Sequence, residues 1–260
     1  MRYPIKKRIF DLVVTILTSV TWIPVIFIFA MINLAREGFP IFYSSRRRVS
    51  ETEIRTVYKF RTMVRHAENI YNRDVVPMNN VRFLNTPISS PLYTRTGLLI
   101  EKYTLTELPQ FINVLQGYMS IVGNRPLPEN VVESLSDEYP GSMSRFSTSA
   151  GMTGPTQLVG RSGIIDRDRL VLEITYCEAV RNHYKWRLDF LILLYTVLIA
   201  LKIKKSMTVE ETIEFMVKQT GIEYRFPPSL CGRKHAEGEE ERVVWSDEQR
   251  EWALNAKIKS

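Results

Sequence analysis

The 260-residue chain is 45% hydrophobic and 24% charged, a balance that supports a packed core and excludes wholesale disorder. Its net charge of +7 and pI near 9.4 point to an anionic partner: nucleic acid, an anionic membrane surface or a phosphorylated substrate. The two cysteines, Cys177 and Cys231, form no close pair and have no metal spacing, and His66, His183 and His235 are scattered without a partner motif. This argues against a disulfide framework, a zinc site and a histidine base.

Residues 1–8 carry Arg2, Lys6, Lys7 and Arg8, and Leu12 to Ala35 then runs without a charge. A helix over that run is roughly 36 Å long, enough to span the hydrocarbon core. The run is too long for the apolar part of a signal peptide, and no small-residue cleavage site follows it. Two arrangements fit: a single transmembrane span, or a re-entrant hairpin broken at Pro24 that enters and leaves on one face. Basic residues on both flanks (Arg36 and Arg46 to Arg48 on the far side) favour the hairpin, because both ends then prefer the cytoplasmic side. Pro24 lies near the middle, where it can break the helix. Thr15, Thr18, Ser19 and Thr21 are placed to satisfy freed backbone groups. Trp22 and Pro24 are the candidate membrane residues.

Residues 39–65 form a cationic stretch next to the bilayer, suited to phosphate groups. Residues 66–94, with Pro77, Pro87, Pro91 and Asn79-Asn80, read as a loop-rich insertion after one helical turn around Ala67. Thr94-Arg95-Thr96-Gly97 opens the next helix, with Leu98, Leu99 and Ile100 as its apolar side. From Thr104 to Pro126 the chain predicts a short amphipathic helix and a Gly-punctuated loop. Leu108, Phe111, Ile112 and Leu115 fall at helical spacing. With Thr106 as N-cap and Glu107 at N1, Pro109 falls at N3, where its missing N–H costs nothing. Gly117 is then the C′ residue.

Glu129–Tyr139 is an acidic helix candidate stopped by Pro140-Gly141. Arg145 to Arg161 is a glycine-punctuated loop whose glycines allow close backbone approach to a ligand, with Arg161 available to phosphate. A mixed helix over Leu170–Lys185 follows. Phe190 to Leu201 is a twelve-residue apolar run, too short to cross a bilayer; it reads as an interfacial or a core helix, and the lysines at its end favour the interface. Thr208-Val-Glu-Glu211 is a capping box opening a helix to Gln219, with Gly221 after it. Beyond lie Phe226-Pro-Pro228, the acidic run Glu237–Glu241, and Ser246 to Gln249 as a possible cap for a last helix with Trp252.

The motifs Lys59-Phe60-Arg61-Thr62-Met63, Leu105 to Gln110, Asn113-Val114-Leu115, Gly117 to Ser120 and Val122 to Pro126 resemble the bacterial sugar transferase family. So do Gly151, Thr153, Gly154, Gln157, Gly160 and Arg161. These are the small monotopic phosphoglycosyl transferases, which move a sugar 1-phosphate from a nucleotide sugar onto a polyprenyl phosphate. The resemblance covers the chain to about residue 205. It departs where the family has its nucleophilic aspartate, which is Thr106 here. Tyr118, Asn124 and Ala150 stand for an aspartate and two prolines, and Arg46 and Ser50 for the Gln and Gly of a Gln-x-Arg-x-Gly motif that keeps Arg48.

The resemblance implies a mainly α fold with small β elements: a monotopic membrane protein with an N-terminal re-entrant helical hairpin and an interfacial helix. It implies a basic segment and membrane helix over 1–36, a cytoplasmic sugar transferase domain over 37–204 with the interfacial helix at 188–204, and a C-terminal extension over 205–260 that it does not cover. It places Thr106 and Glu107 at the catalytic position. Lys59, Arg61, Arg95, Arg125, Pro126, Arg145, Gln157 and Arg161 are placed at phosphate or substrate, and Glu107 at a magnesium ion. The expected substrates are a UDP-sugar and undecaprenyl phosphate, at the cytoplasmic face of the bacterial inner membrane, in exopolysaccharide, capsule or O-antigen assembly. Other polysaccharide-assembly proteins are candidate partners; nucleic acid is not. Loss of the aspartate leaves a second expectation open: a catalytically inactive relative that binds these substrates and scaffolds an active partner.

Overall fold

Thirty-three residues, Ile5–Glu37, form one continuous helix, α1, in the computed structural model of the chain, which describes residues 4–65, 67, 92–160 and 164–224. At 1.5 Å per residue α1 is roughly 50 Å long, and it is long and apolar enough to cross a membrane. Pro24 lies inside it, and the helical run continues on both sides of it. A proline removes one backbone donor, and hydroxyls in the preceding turns bond carbonyls within the helix. Thr18 donates to Val14 (2.7 Å), Ser19 to Ile16 (2.7 Å) and Thr21 to Thr18 (2.6 Å).

An antiparallel hairpin follows, β1 (Phe42–Arg48) with β2 (Ile54–Phe60), in the register Tyr43 opposite Lys59 and Arg47 opposite Arg55. Helix α2 (Arg95–Lys102) starts as expected, with the Thr94 side chain accepting from the Gly97 amide. Gly97 packs on the backbone of the Lys59–Met63 segment; a Cβ there would lie 1.8 Å from the Thr62 carbonyl oxygen. Helix α3 (Gln110–Leu115) leads into β3 (Ser120–Val122), which pairs in parallel with β4 (Gly151–Thr153). Between these strands run α4 (Glu129–Glu138) and a 3-10 turn at Ser142–Phe146. After β4 come α5 (Pro155–Val159), α6 (Asp166–His183), α7 (Trp186–Ala200) and α8 (Val209–Thr220). The described part is thus mainly helical with two small sheets.

The core gathers around α6, whose Leu170, Leu172, Tyr176 and Ala179 are fully buried, with Leu135, Phe146, Leu158, Leu188 and Ile192 from its neighbours. Helix α8 belongs to this core. Its Ile213 and Met216 are buried in the same cluster. Both bonds of its capping box are present, and Gly221 closes it at φ 76°. The segment beyond residue 205 therefore begins as part of the folded domain. Arg161, His66, His235, Cys231, nearly all of the 66–94 insertion and everything after residue 224, including the 237–241 acidic run and the Ser246 cap, lie outside the described residues.

Burial on α1 inverts the usual pattern. Lys7, Asp11 and Thr15, one turn apart on one face, are buried, whereas Ile5, Ile16, Leu17, Val20 and Phe27 are each more than half exposed. The polar face is the docking face. Lys7 Nζ donates to the Val122 carbonyl (2.7 Å), the Tyr176 hydroxyl (2.9 Å) and Asp189 of α7. Asp11 accepts from the Ser120 hydroxyl (2.8 Å) and the Ile121 amide (2.9 Å). Arg8 donates to the Val114 and Leu115 carbonyls at the end of α3, where a cation complements the helix dipole. Farther along, Trp22 stacks on Phe111 (centroids 5.0 Å apart) and donates its indole N–H to the Thr15 carbonyl (3.0 Å). Helix α3 shares the inversion in part: Gln110 and Asn113 are buried with Val114 while Ile112 and Leu115 are exposed. On α7, Asp189 is buried beside Leu188 and Ile192 while Phe190 and Val197 are exposed. Ile112 and Leu115 thus join an outer apolar surface with α1 and α7.

Arg61 closes the far end of α1. Its guanidinium donates to the carbonyls of Glu37 (2.9 Å), Gly38 (2.8 Å) and Pro40 (2.6 Å), and Asn33 reaches back to the Arg61 carbonyl (3.1 Å). This corrects the expectation that Arg61 holds substrate phosphate: its Nε and Nη2 are engaged at the helix C-terminus, and it does not line the cleft described below. Arg61→Met is expected to destabilise the fold by about 2–4 kcal/mol, from several lost charged hydrogen bonds and the carbonyls left behind. A thermal melt in detergent measures this; a melt within a degree of wild type would rule out the anchoring role.

Candidate functional site

Strand β2 carries Lys59 to the Glu107 turn because the Phe60 amide donates to the Thr106 carbonyl (2.9 Å). Asn113 fixes the same junction, accepting from the Tyr58 amide (3.2 Å) and donating to the Thr56 carbonyl (2.7 Å). On the other side, the β3–β4 pair carries Arg125. The Gly123 amide donates to the Thr153 carbonyl (2.7 Å) and the Gly151 amide to the Asn124 carbonyl (2.9 Å). Backbone contact here explains the glycines: a Cβ at Gly151 would lie 2.1 Å from the Gly123 nitrogen, and one at Gly154 2.3 Å from its oxygen. These glycines permit the strand-to-strand approach, and Gly151 also lines the cleft.

The junctions converge on Glu107. Its Oε1 accepts from Lys59 Nζ (2.8 Å) and Arg125 Nη1 (3.2 Å). Arg47, Lys59, Glu107, Gln110, Arg125, Pro126, Gly151 and Met152 line a small cleft. Three cationic side chains face one carboxylate, so the cleft has a positive excess suited to phosphate. Burial pushes the Lys59 ammonium down to about 8; Glu107 opposes this, and Arg125 and Arg47 add to it. If the charged form binds substrate phosphate, kcat/KM for the donor is expected to hold below pH 8 and to fall about tenfold per unit above it as Lys59 loses its proton. A pH–rate profile reads this directly. A flat profile to pH 9.5 would show that Lys59 keeps its charge or is not needed.

The expected site residues separate into three groups. Lys59, Glu107, Arg125 and Pro126 come together in the cleft. Arg61 and Arg145 do not reach it. Arg145 is fully buried, forms a two-pronged ion pair with Glu173, and donates to the Arg125 carbonyl (3.0 Å). It supports Arg125 from behind, which corrects its expected contact with substrate. Arg95 is exposed at the start of α2 and Gln157 accepts from the Thr156 hydroxyl (3.1 Å); neither lines the cleft.

Thr106 is not among the lining residues either. Its hydroxyl is buried and has no hydrogen-bond partner. The expected N-cap is therefore not formed. The chain from Leu105 to Pro109 makes tight i→i+3 bonds (Leu108 amide to Leu105 carbonyl 3.0 Å, Gln110 amide to Glu107 carbonyl 3.0 Å), and α3 starts only after Pro109. Gly117, with φ 85°, follows the helix as expected. Two other departures from the family pattern fall away from the cleft lining. Tyr118 sits under the Arg55 guanidinium (4.4 Å), and Asn124 is buried, donating to the carbonyls of Arg145 (2.8 Å) and Glu173 (3.0 Å).

Strand alternation would have found Arg47, which shares a face of the hairpin with Lys59. Met152 and Gln110 carry no such signal. Among the described residues no three His, Cys, Asp or Glu side chains gather; a magnesium ion, which takes one or two carboxylates together with substrate phosphates, would be held here through Glu107, whose Oε1 already accepts from two cations.

A family model described as bacterial sugar transferase matches residues 2–203. The chain is 32% identical over 194 residues to the uncharacterized sugar transferase EpsL of Bacillus subtilis, covering 74% of this chain and 86% of that protein. It is 32% identical over 199 residues to galactosyl transferase CpsE of Streptococcus agalactiae (76% and 42%). Identity to the undecaprenyl-phosphate galactose phosphotransferase of Salmonella typhimurium is 29% over 208 residues (75% and 40%). The chain thus spans most of one of these relatives and less than half the length of the other two.

Proposed function

The chain belongs to the bacterial sugar transferase family, and from that membership and the geometry of the cleft we propose that it transfers a sugar 1-phosphate from a UDP-sugar to a polyprenyl phosphate at the cytoplasmic face of the bacterial cell membrane. The observation that carries this is the convergence of Lys59 and Arg125 on Glu107, with Arg47 beside them, in a cleft to which α3, one of the elements that dock α1, contributes Gln110. The cations hold the donor diphosphate, neutralise the charge that builds on the transferring phosphoryl group, and stabilise the departing nucleoside monophosphate. Glu107 keeps Lys59 and Arg125 pointed into the cleft. The relative named for an undecaprenyl-phosphate reaction supports the acceptor class. No observation favours a catalytically silent scaffold.

A monotopic placement is part of this proposal. Polar contacts hold both ends of α1 to one domain, Lys7 and Asp11 at one end and Asn33 with the Glu37 and Gly38 carbonyls at the other. The exposed apolar faces of α1, α3 and α7 are the lipid-facing surface. That supports both termini of α1 lying on one side of the bilayer, in place of a full span.

Nucleotide release by purified protein tests the activity. The assay contains undecaprenyl phosphate and a panel of UDP-sugars, with and without magnesium. Lipid-dependent UMP release is expected with at least one donor, which also names the sugar. Absence of release with every donor, beside an active relative, would overturn the proposal.

A further inference from the structure

Resting on that reading, we infer that the phosphosugar passes from the donor to the lipid phosphate in a single displacement, with no covalent intermediate on the chain. Among the described residues, the nucleophile position offers no activated nucleophile. The Thr106 hydroxyl is buried, has no hydrogen-bond partner among them and so no base there to take its proton, and does not line the cleft. Glu107 is the one carboxylate among the described lining residues, and it is held as the counter-ion of Lys59 and Arg125, which bond its Oε1 and make the carboxylate a poorer nucleophile. Lys59 is itself the ammonium partner of that pair. Arg47, Gln110, Pro126 and Met152 are the other described side chains of the lining and supply no group that attacks phosphorus.

The acceptor needs no help to become a nucleophile. A phosphate monoester is already largely ionised at neutral pH. An oxygen of the lipid phosphate gives its lone pair to the β-phosphorus of the UDP-sugar. The bond from that phosphorus to the bridging oxygen breaks, and UMP leaves with the electron pair. No proton has to be removed from the attacking oxygen. The obstacle is repulsion between two anions, and the positive excess of Arg47, Lys59 and Arg125 over Glu107 meets it. Both substrates must then occupy the cleft together.

The experiment is positional exchange without acceptor. Wild-type protein is incubated with labelled UMP and the UDP-sugar that turns over best, first without lipid and then with undecaprenyl phosphate. Direct transfer predicts no label in the UDP-sugar without lipid and intersecting initial-rate lines when both substrates are varied. Thr106→Val is expected to keep the lipid-dependent rate within about twofold of wild type, since its hydroxyl does not take part. Label entering the UDP-sugar without lipid, parallel initial-rate lines, or loss of activity in Thr106→Val with an unchanged melt would overturn the single displacement while leaving the transferase reading intact. Absence of UMP release even with lipid, for every donor, would overturn the transferase reading and this inference with it.

Discussion

Lys59→Met is expected to lower kcat/KM for lipid-dependent UMP release by about a hundred- to a thousandfold. Lys59 is the cation that β2 delivers to the cleft, and it sits 2.8 Å from Glu107. Methionine keeps most of its bulk and removes its charge. A preorganised charge aimed at a developing anion is worth about 3–4 kcal/mol in a water-poor site. The loss should fall largely in kcat, because a charge that acts mainly in the transition state contributes little to ground-state binding. The melt should stay close to wild type, since the partly exposed Lys59–Glu107 pair contributes little to stability. Steady-state rates with the preferred UDP-sugar, with a melt of the same preparation, check this. A drop under fivefold would remove Lys59 from the phosphate site.

Glu173→Ala is expected to lower the stability of the folded chain by about 3–5 kcal/mol. Arg145 and Glu173 are both fully buried, and the guanidinium meets both carboxylate oxygens. Removing one partner leaves a full charge in the core. The effect should spread to the site, because Arg145 also holds the Arg125 carbonyl and its own carbonyl takes the Asn124 amide. The double variant Arg145→Met with Glu173→Leu should be less damaging than Glu173→Ala alone, since it removes both charges together. Chemical denaturation in detergent of the three proteins decides it. Equal destabilisation of the single and double variants would mean that packing, not charge, dominates the pair.

The sequence by itself determined the order and type of most elements. The α1 run, the Thr94 cap, the Gly117 end, the Glu129 helix and the α8 capping box are local signals set by neighbouring side chains and backbone. It also placed Lys59, Glu107, Arg125 and Pro126 among the site candidates. Tertiary structure decided which arginines face the cleft. Arg61 and Arg145 look like phosphate ligands in a motif, yet one closes the end of α1 and the other is buried against Glu173. A guanidinium serves carbonyls, carboxylates and phosphates with the same donors, so only its neighbours settle its role. The same holds for the apolar stripes. Periodicity showed that α1, α3 and α7 are amphipathic or apolar, but it could not say which of their polar residues are buried. That follows from where Lys7, Asp11, Asn113 and Asp189 find partners in the fold, because a polar group is buried only where it is bonded.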